Sequence, residues 1–152
     1  MFGSSLSRQL LLVASLVASA TLGAASVAAQ EEEPAPSRMY FDVGNPTPGD
    51  AIHVGGMAIE GIAFDRAAEE GPGIERIDIF LEDRDEAGVL VGHGAPGASS
   101  PAPDEPELAN SGWTGEIMLT SRMLGPHTLF FYALSGITGE EMVVAIPIRV
   151  VP

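Results

Sequence analysis

The chain has 152 residues, no cysteine, 21 acidic residues against seven basic ones, and a formal net charge of −14. Disulfide scaffolding, a thiolate metal site and a cysteine-linked lipid anchor are thereby excluded. A polyanion of this kind is repelled by nucleic acid and by anionic lipid, so neither is expected as a partner.

Arg8 stands in a short polar segment ahead of the apolar run Leu10 to Val27, and Val27-Ala28-Ala29 places small residues at both recognition positions of a signal-peptidase site before Gln30. The pattern predicts an export signal over 1–29, formed as an apolar helix and cleaved after Ala29. A buried core helix fits less well, because Gln30-Glu31-Glu32-Glu33-Pro34 closes the run with a charged, extended segment. An uncleaved membrane anchor stays open as the alternative. The run of 18 residues reaches the lower limit for crossing a bilayer, although its Ala, Ser and Gly content weakens retention. Every acidic residue lies beyond Gln30, so the exported part is more acidic than the whole. It is one domain's worth of chain, enough to bury about two thirds of its unfolded surface in a single core.

Residues 30–38 read as an acidic, Pro-containing linker, extended and solvated. Met39 to Val43 reads as a first strand, closed by the turn-rich Gly44-Asn45-Pro46-Thr47-Pro48-Gly49-Asp50. Asn45-Pro46-Thr47 is no glycosylation acceptor, since proline holds the middle position. The apolar stretch Ile52 to Phe64 contains Gly55-Gly56 and Gly61, which predicts a kinked strand or two short ones, with a bulge or a close backbone approach at the glycines. After a polar loop from Asp65 to Gly73, the strand Ile74 to Glu82 turns Ile77, Ile79 and Leu81 one way and Arg76, Asp78, Phe80 and Glu82 the other. Val89 to Val91 follows as its hairpin partner.

From Gly92 to Ser111 the alternation is lost among Gly, Ala, Pro, Ser and acid, which reads as a long loop, either binding or disordered. Trp113 to Thr120 resumes it with Trp113, Ile117 and Leu119 together. Gly125-Pro126 then turns into the densest aromatic run, where His127, Leu129, Phe131 and Ala133 share one face and Thr128, Phe130 and Tyr132 the other. Such β-branched and aromatic content suits a central strand. A loop from Ser135 to Glu140 precedes the last strand, Met142 to Val151, with Val144, Ile146, Ile148 and Val150 on one face and Pro147 marking a sheet edge. About seven strands separated by turn signals, with no amphipathic helix, predict an all-β, two-sheet antiparallel sandwich over 39–152.

Three stretches carry a family resemblance. Ile59-Glu60-Gly61-Ile62-Ala63-Phe64-Asp65, Gly73 to Leu81, and Gly125-Pro126-His127-Thr128-Leu129-Phe130-Phe131-Tyr132-Ala133 resemble the bacterial Ig-like domains of exported and cell-surface proteins. Those modules often carry Gly-Trp-Ala-x-Asp where this chain has Gly61-Ile62-Ala63-Phe64-Asp65, without the tryptophan. The resemblance implies an Ig-like β-sandwich and a cell-surface setting. It supplies no catalytic residues.

The remaining constellations are read on their own chemistry. Gly92-His93-Gly94-Ala95-Pro96-Gly97 matches a dinucleotide fingerprint in letters, but a Pro-rich acidic stretch follows where the motif needs a helix N-terminus. Asp83-Arg84-Asp85-Glu86-Ala87-Gly88 begins like a calcium loop, yet Ala87 occupies the fifth position and Gly94 the twelfth, which requires a bidentate Glu. A looser calcium site between loops stays open. His53, His93 and His127 lack ligand spacing, and His127 is expected to find a backbone partner. Ser135-Gly136 is an ordinary turn rather than a nucleophile elbow. The adjacent pairs Glu69-Glu70 and Glu140-Glu141 read as solvated surface rather than glycosidase carboxylates. The sequence therefore predicts a non-catalytic exported module, structural, adhesive or protein-binding, with a protein or cell-envelope partner and with no cofactor, metal or catalytic residue assigned. It would act outside the cell or at its surface, or stay membrane-anchored if the leader is retained. The alternative is a small secreted calcium-dependent carbohydrate binder or enzyme with its site on the loops, its aromatic platform drawn from Tyr40, Phe80, Trp113, Phe130 and Tyr132.

Overall fold

Met39, Phe41 and Val43 are buried and the intervening Tyr40 and Asp42 exposed, and this period of two recurs along the chain, as it does when side chains alternate across a pleated strand. The computed structural model describes residues 37–100 and 108–152. The expectations for the export signal, and for the linker before Ser37, fall outside them. The described chain forms eight strands: β1 (Met39–Asn45), β2 (Ala51–His53), β3 (Gly55–Asp65), β4 (Ile74–Leu81), β5 (Val89–Ala98), β6 (Gly112–Leu119), β7 (Gly125–Ser135) and β8 (Glu141–Val151). Short 3-10 turns at Arg84–Glu86 and Ser121–Met123 interrupt them.

The strands bond in the order β1-β3-β6-β5-β4-β7-β8-β2, antiparallel throughout except for β2, which lies parallel to β8. Trp113 on β6 and Phe131 on β7 have ring centroids 6.1 Å apart. Three strand spacings separate β6 from β7 in the ladder, about 14 Å if the sheet were flat. The sheet is therefore curled back on itself, and its concave side closes on one core. Leu129, Phe131 and Ala133 from β7, Ile77 and Ile79 from β4, and Trp113 and Ile117 from β6 are all fully buried there. The predicted faces of β4, β6 and β7 agree with this placement.

The fold is all-β as expected, with eight strands joined in one ladder because β5 bonds to β4 along one edge and to β6 along the other. One expectation is corrected. The segment from Gly92 to Ala98 is consequently strand, not loop. Its alternation is carried by residues too small to register as apolar, with His93, Ala95 and Gly97 exposed and Gly92, Gly94, Pro96 and Ala98 half-buried. Gly94 shows why smallness is required: a Cβ there would stand 2.7 Å from Cε3 of Trp113 on the neighbouring strand β6, so a side chain would collide with the indole.

The glycines of the Ile52–Phe64 stretch act as predicted. The chain turns at Gly55, whose φ of +122° suits glycine, giving two strands: β2 at one edge of the sheet and β3 between β1 and β6 near the other. At Gly61 a Cβ would lie 2.6 Å from Nε1 of Trp113. That space lets the indole cross β3 and donate to the Asp42 carbonyl of β1 at 3.1 Å. At the other margin β2 covers β8 along Arg149–Val151. Pro147 lies just beyond that cover, where its carbonyl accepts the Gly49 N–H at 2.7 Å.

Candidate functional site

Most side chains singled out in the sequence are engaged in holding the fold. Asp83 caps the Arg84–Glu86 turn, accepting the Asp85 N–H at 2.9 Å and the Tyr132 hydroxyl at 3.0 Å. Arg84 reaches across the outer face of the sheet, 4.1 Å from the Tyr132 ring centroid, to a two-pronged contact with Glu141 at 2.8 and 2.5 Å. The residues that resembled the start of a calcium loop thus form a latch that closes the β4–β5 turn over β7. Burial pushes the Tyr132 phenol above its ordinary range. The bonds to Glu141 hold Arg84 still more firmly protonated.

The three histidines are placed separately. His93 bonds to Asp78 at 2.9 Å, and His53 meets the Pro152 carbonyl. His127 contacts the Glu82 carboxylate at 2.7 Å rather than the backbone partner expected. Among the described residues no three His, Asp or Glu side chains converge to hold a metal ion. The fingerprint-like Gly92–Gly97 lies inside β5. Of the aromatics considered for a platform, Trp113 is fully enclosed and Tyr132 is buried, while Phe80 and Phe130 pack against Tyr132. Tyr40 is the one that stands open, 47% exposed.

A cavity lies at the end of β3, lined by Phe64, the ring on which Tyr40 stacks. The cavity measures about 600 Å³, with Phe64 as its aromatic floor, the turn Asp65 to Pro72 on one side and residues 108–111 on the other. Its frame is built from Asp65, which ends β3. This carboxylate is 3% exposed and accepts the Ser135 hydroxyl at 2.5 Å, the Ala67 N–H at 2.8 Å and the Thr138 hydroxyl at 3.0 Å. Burial works against the charge, but these three donors and the nearby Arg38 outweigh it and hold the carboxyl below its ordinary value. One buried anion therefore pins both the turn after β3 and the connection between β7 and β8. Ser135, read as an ordinary turn residue, is the second half of that pin, since its oxygen also accepts the N–H groups of Ile137 and Thr138. The opposite wall is tied down by the Ala63 N–H bond to the Ser111 carbonyl at 2.8 Å.

Around this frame stand polar side chains not committed to the fold. Arg66 lies with its guanidinium carbon 5.9 Å from the Phe64 ring centroid and makes no ion pair with a described residue, whereas Arg76 and Arg84 do. Glu69 and Asn110 line the same space. Ser111 is buried, and its hydroxyl is without a partner among the described residues. Tyr40 stacks on Phe64 across the strand pair, centroids 5.3 Å apart and planes 21° from parallel. The sequence read Asp65–Gly73 simply as a polar loop. The signal that was available lay in Ala63-Phe64-Asp65, where alternation gives way to a buried Phe-Asp pair.

No family model matches the chain, and no curated protein does. Among solved structures, the endo-beta-1,4-mannanase from Thermotoga petrophila is similar at a TM-score of 0.47 and 15% identity, over 80% of this chain and 21% of the mannanase chain. The chain thus corresponds to about a fifth of that enzyme's length.

Proposed function

We propose that the chain is a non-catalytic Ig-like module of an exported or cell-surface protein, and that it binds its partner through the loops at the Tyr40–Phe64 end. In support of the Ig-like plan, β1-β3-β6-β5 followed by β4-β7-β8 reproduces the ABED and CFG strand orders of that sandwich, with β2 added beside the last strand. The observation that carries the binding role is the contrast at the cavity. Asp65, the buried carboxylate, is fully occupied in fixing two connections, while Arg66, Glu69 and Asn110 beside it have no side-chain hydrogen bond or ion pair to a described residue. A rigid scaffold that presents uncommitted groups on loops is the usual build of a recognition module. The partner is a component of the cell envelope or of the extracellular surface.

An envelope-retention assay tests this. The protein should co-sediment with isolated cell envelopes, and Tyr40→Ala with Glu69→Ala should release it while the thermal midpoint stays within about 2 °C of wild type, as exposed positions allow. Retention unchanged by that pair, but lost on Leu90→Asp on the exposed side of β5, would assign binding elsewhere.

A further inference from the structure

We propose that the cavity beside Phe64 takes a carboxylate-bearing sugar of the uronic-acid type, with the Arg66 guanidinium on the carboxylate and the exposed Tyr40 ring beneath the adjoining sugar. This deepens the binding reading above and rests on it. The argument starts from Arg66. Acidic residues outnumber basic ones three to one in this chain, and Arg76 and Arg84 are each in ion-pair contact with an acid. Arg66, like Arg38, Arg122 and Arg149, has none among the described residues, and of these four it is the one that stands over an aromatic ring and lines the cavity. Stacking on Phe64 holds the guanidinium in place and leaves its N–H fork available for a planar anion. The Arg66 N–H also bonds to the Arg38 carbonyl at 3.1 Å, which brings the backbone of a second arginine to the same end. A molecule with a net charge of −14 repels anions at large, so a carboxylate ligand needs an arginine fork held at a cavity, as Arg66 is.

The rest of the cavity selects the sugar. Glu69 offers acceptors, the Asn110 amide offers both kinds of group, and the buried Ser111 hydroxyl leaves unused capacity in the wall. That mixture suits a ring of hydroxyls, each of which donates and accepts. The volume of about 600 Å³ lies in the range of small-ligand sites. Tyr40, half-exposed and stacked on Phe64, adds an aromatic face of the kind that packs against the C–H face of a pyranose.

The test is nuclear magnetic resonance titration of the isotope-labelled full chain with three probes: tri-galacturonate, its carboxyl-reduced counterpart, and an acidic tripeptide. Tri-galacturonate should shift the amides of Tyr40, of 64–72 and of 108–111. The carboxyl-reduced sugar should bind about tenfold more weakly, the value of one charge-assisted contact, and Arg66→Gln should bring the two sugars to equal affinity without altering the thermal midpoint. Equal binding of both sugars by the wild type, or no effect of Arg66→Gln, would overturn the carboxylate assignment. The tripeptide binding at those amides in place of the sugars would overturn the sugar class. If no probe shifts those amides, the inference is refuted outright. The cavity's role as a binding site would then be judged separately by the envelope-retention assay, which depends on none of these probes.

Discussion

Replacing Asp65 tests how the cavity's frame is held. In Asp65→Ala the Ser135 hydroxyl, 1% exposed, loses its acceptor in a place water hardly reaches, which costs about 1–3 kcal/mol. The Ala67 N–H and the Thr138 hydroxyl also lose their partner, but both are near enough to solvent to lose only about 0.5–1 kcal/mol each. The expected total is about 3 kcal/mol, read as a lowered urea midpoint with an unchanged slope. Asp65→Asn keeps one acceptor oxygen and gives up the charge, so about 1–2 kcal/mol is expected. The two variants separate further with pH. The folded carboxyl titrates below its ordinary value of 3.8, so its contribution is fully present above that pH and is lost as pH falls through the folded value. The gap between wild type and Asp65→Asn should therefore be constant from pH 7 to about 5 and close below about pH 3.8. A gap that stays constant down to pH 2.5, or a loss under about 1 kcal/mol in Asp65→Ala, would refute the assignment of Asp65 as the pin.

Two further outcomes are expected. Phe131→Ala should cost about 3–5 kcal/mol in denaturant titration and Phe80→Ala less than half as much, because Phe131 is fully buried and Phe80 lies half-buried on the outer face; equal losses would reverse the face assignment. Calcium should leave the thermal midpoint unmoved beyond what magnesium does at equal ionic strength, since Asp83 already serves Tyr132 and Asp85; a true site occupied a hundredfold above its dissociation constant would add about 10 °C.

The strands with large apolar residues were legible because burial on one face imposes a period of two, as Ile77, Ile79 and Leu81 or Leu129, Phe131 and Ala133 illustrate. Residues 92–98 were illegible for the complementary reason. Where a large side chain of a neighbouring strand lies against it, a strand must carry glycine, which erases the very signal that marks a strand, and Gly94 against Trp113 is the point of contact. The cavity was hidden for another reason. Its frame depends on Asp65 meeting Ser135 and Thr138, 70 and 73 positions later in the chain, and no local pattern announces a pairing at that distance. The latch of Arg84 on Glu141 spans 57 positions and was missed in the same way. The residues at Asp83–Glu86 looked like ligands because caps and calcium loops draw on the same acids.

The latch bears on where recognition can occur. Phe80, Phe130 and Tyr132 form an aromatic cluster on the outer face of β4 and β7, and left bare such a cluster would be the natural sticky surface of the molecule. The Arg84 guanidinium lies over Tyr132 and is held there by Glu141, so the turn covers the cluster's polar end and buries the tyrosine. On the edge strand β1, Tyr40 is not covered in this way by any described residue. It rests on Phe64 beside an arginine without an ion-pair partner among the described residues. The same three ingredients, an aromatic pair, an arginine and nearby carboxylates, therefore occur twice. Where Arg84 finds its acid the surface is closed, and where Arg66 has none among the described residues the groups are placed to meet an acid supplied from outside.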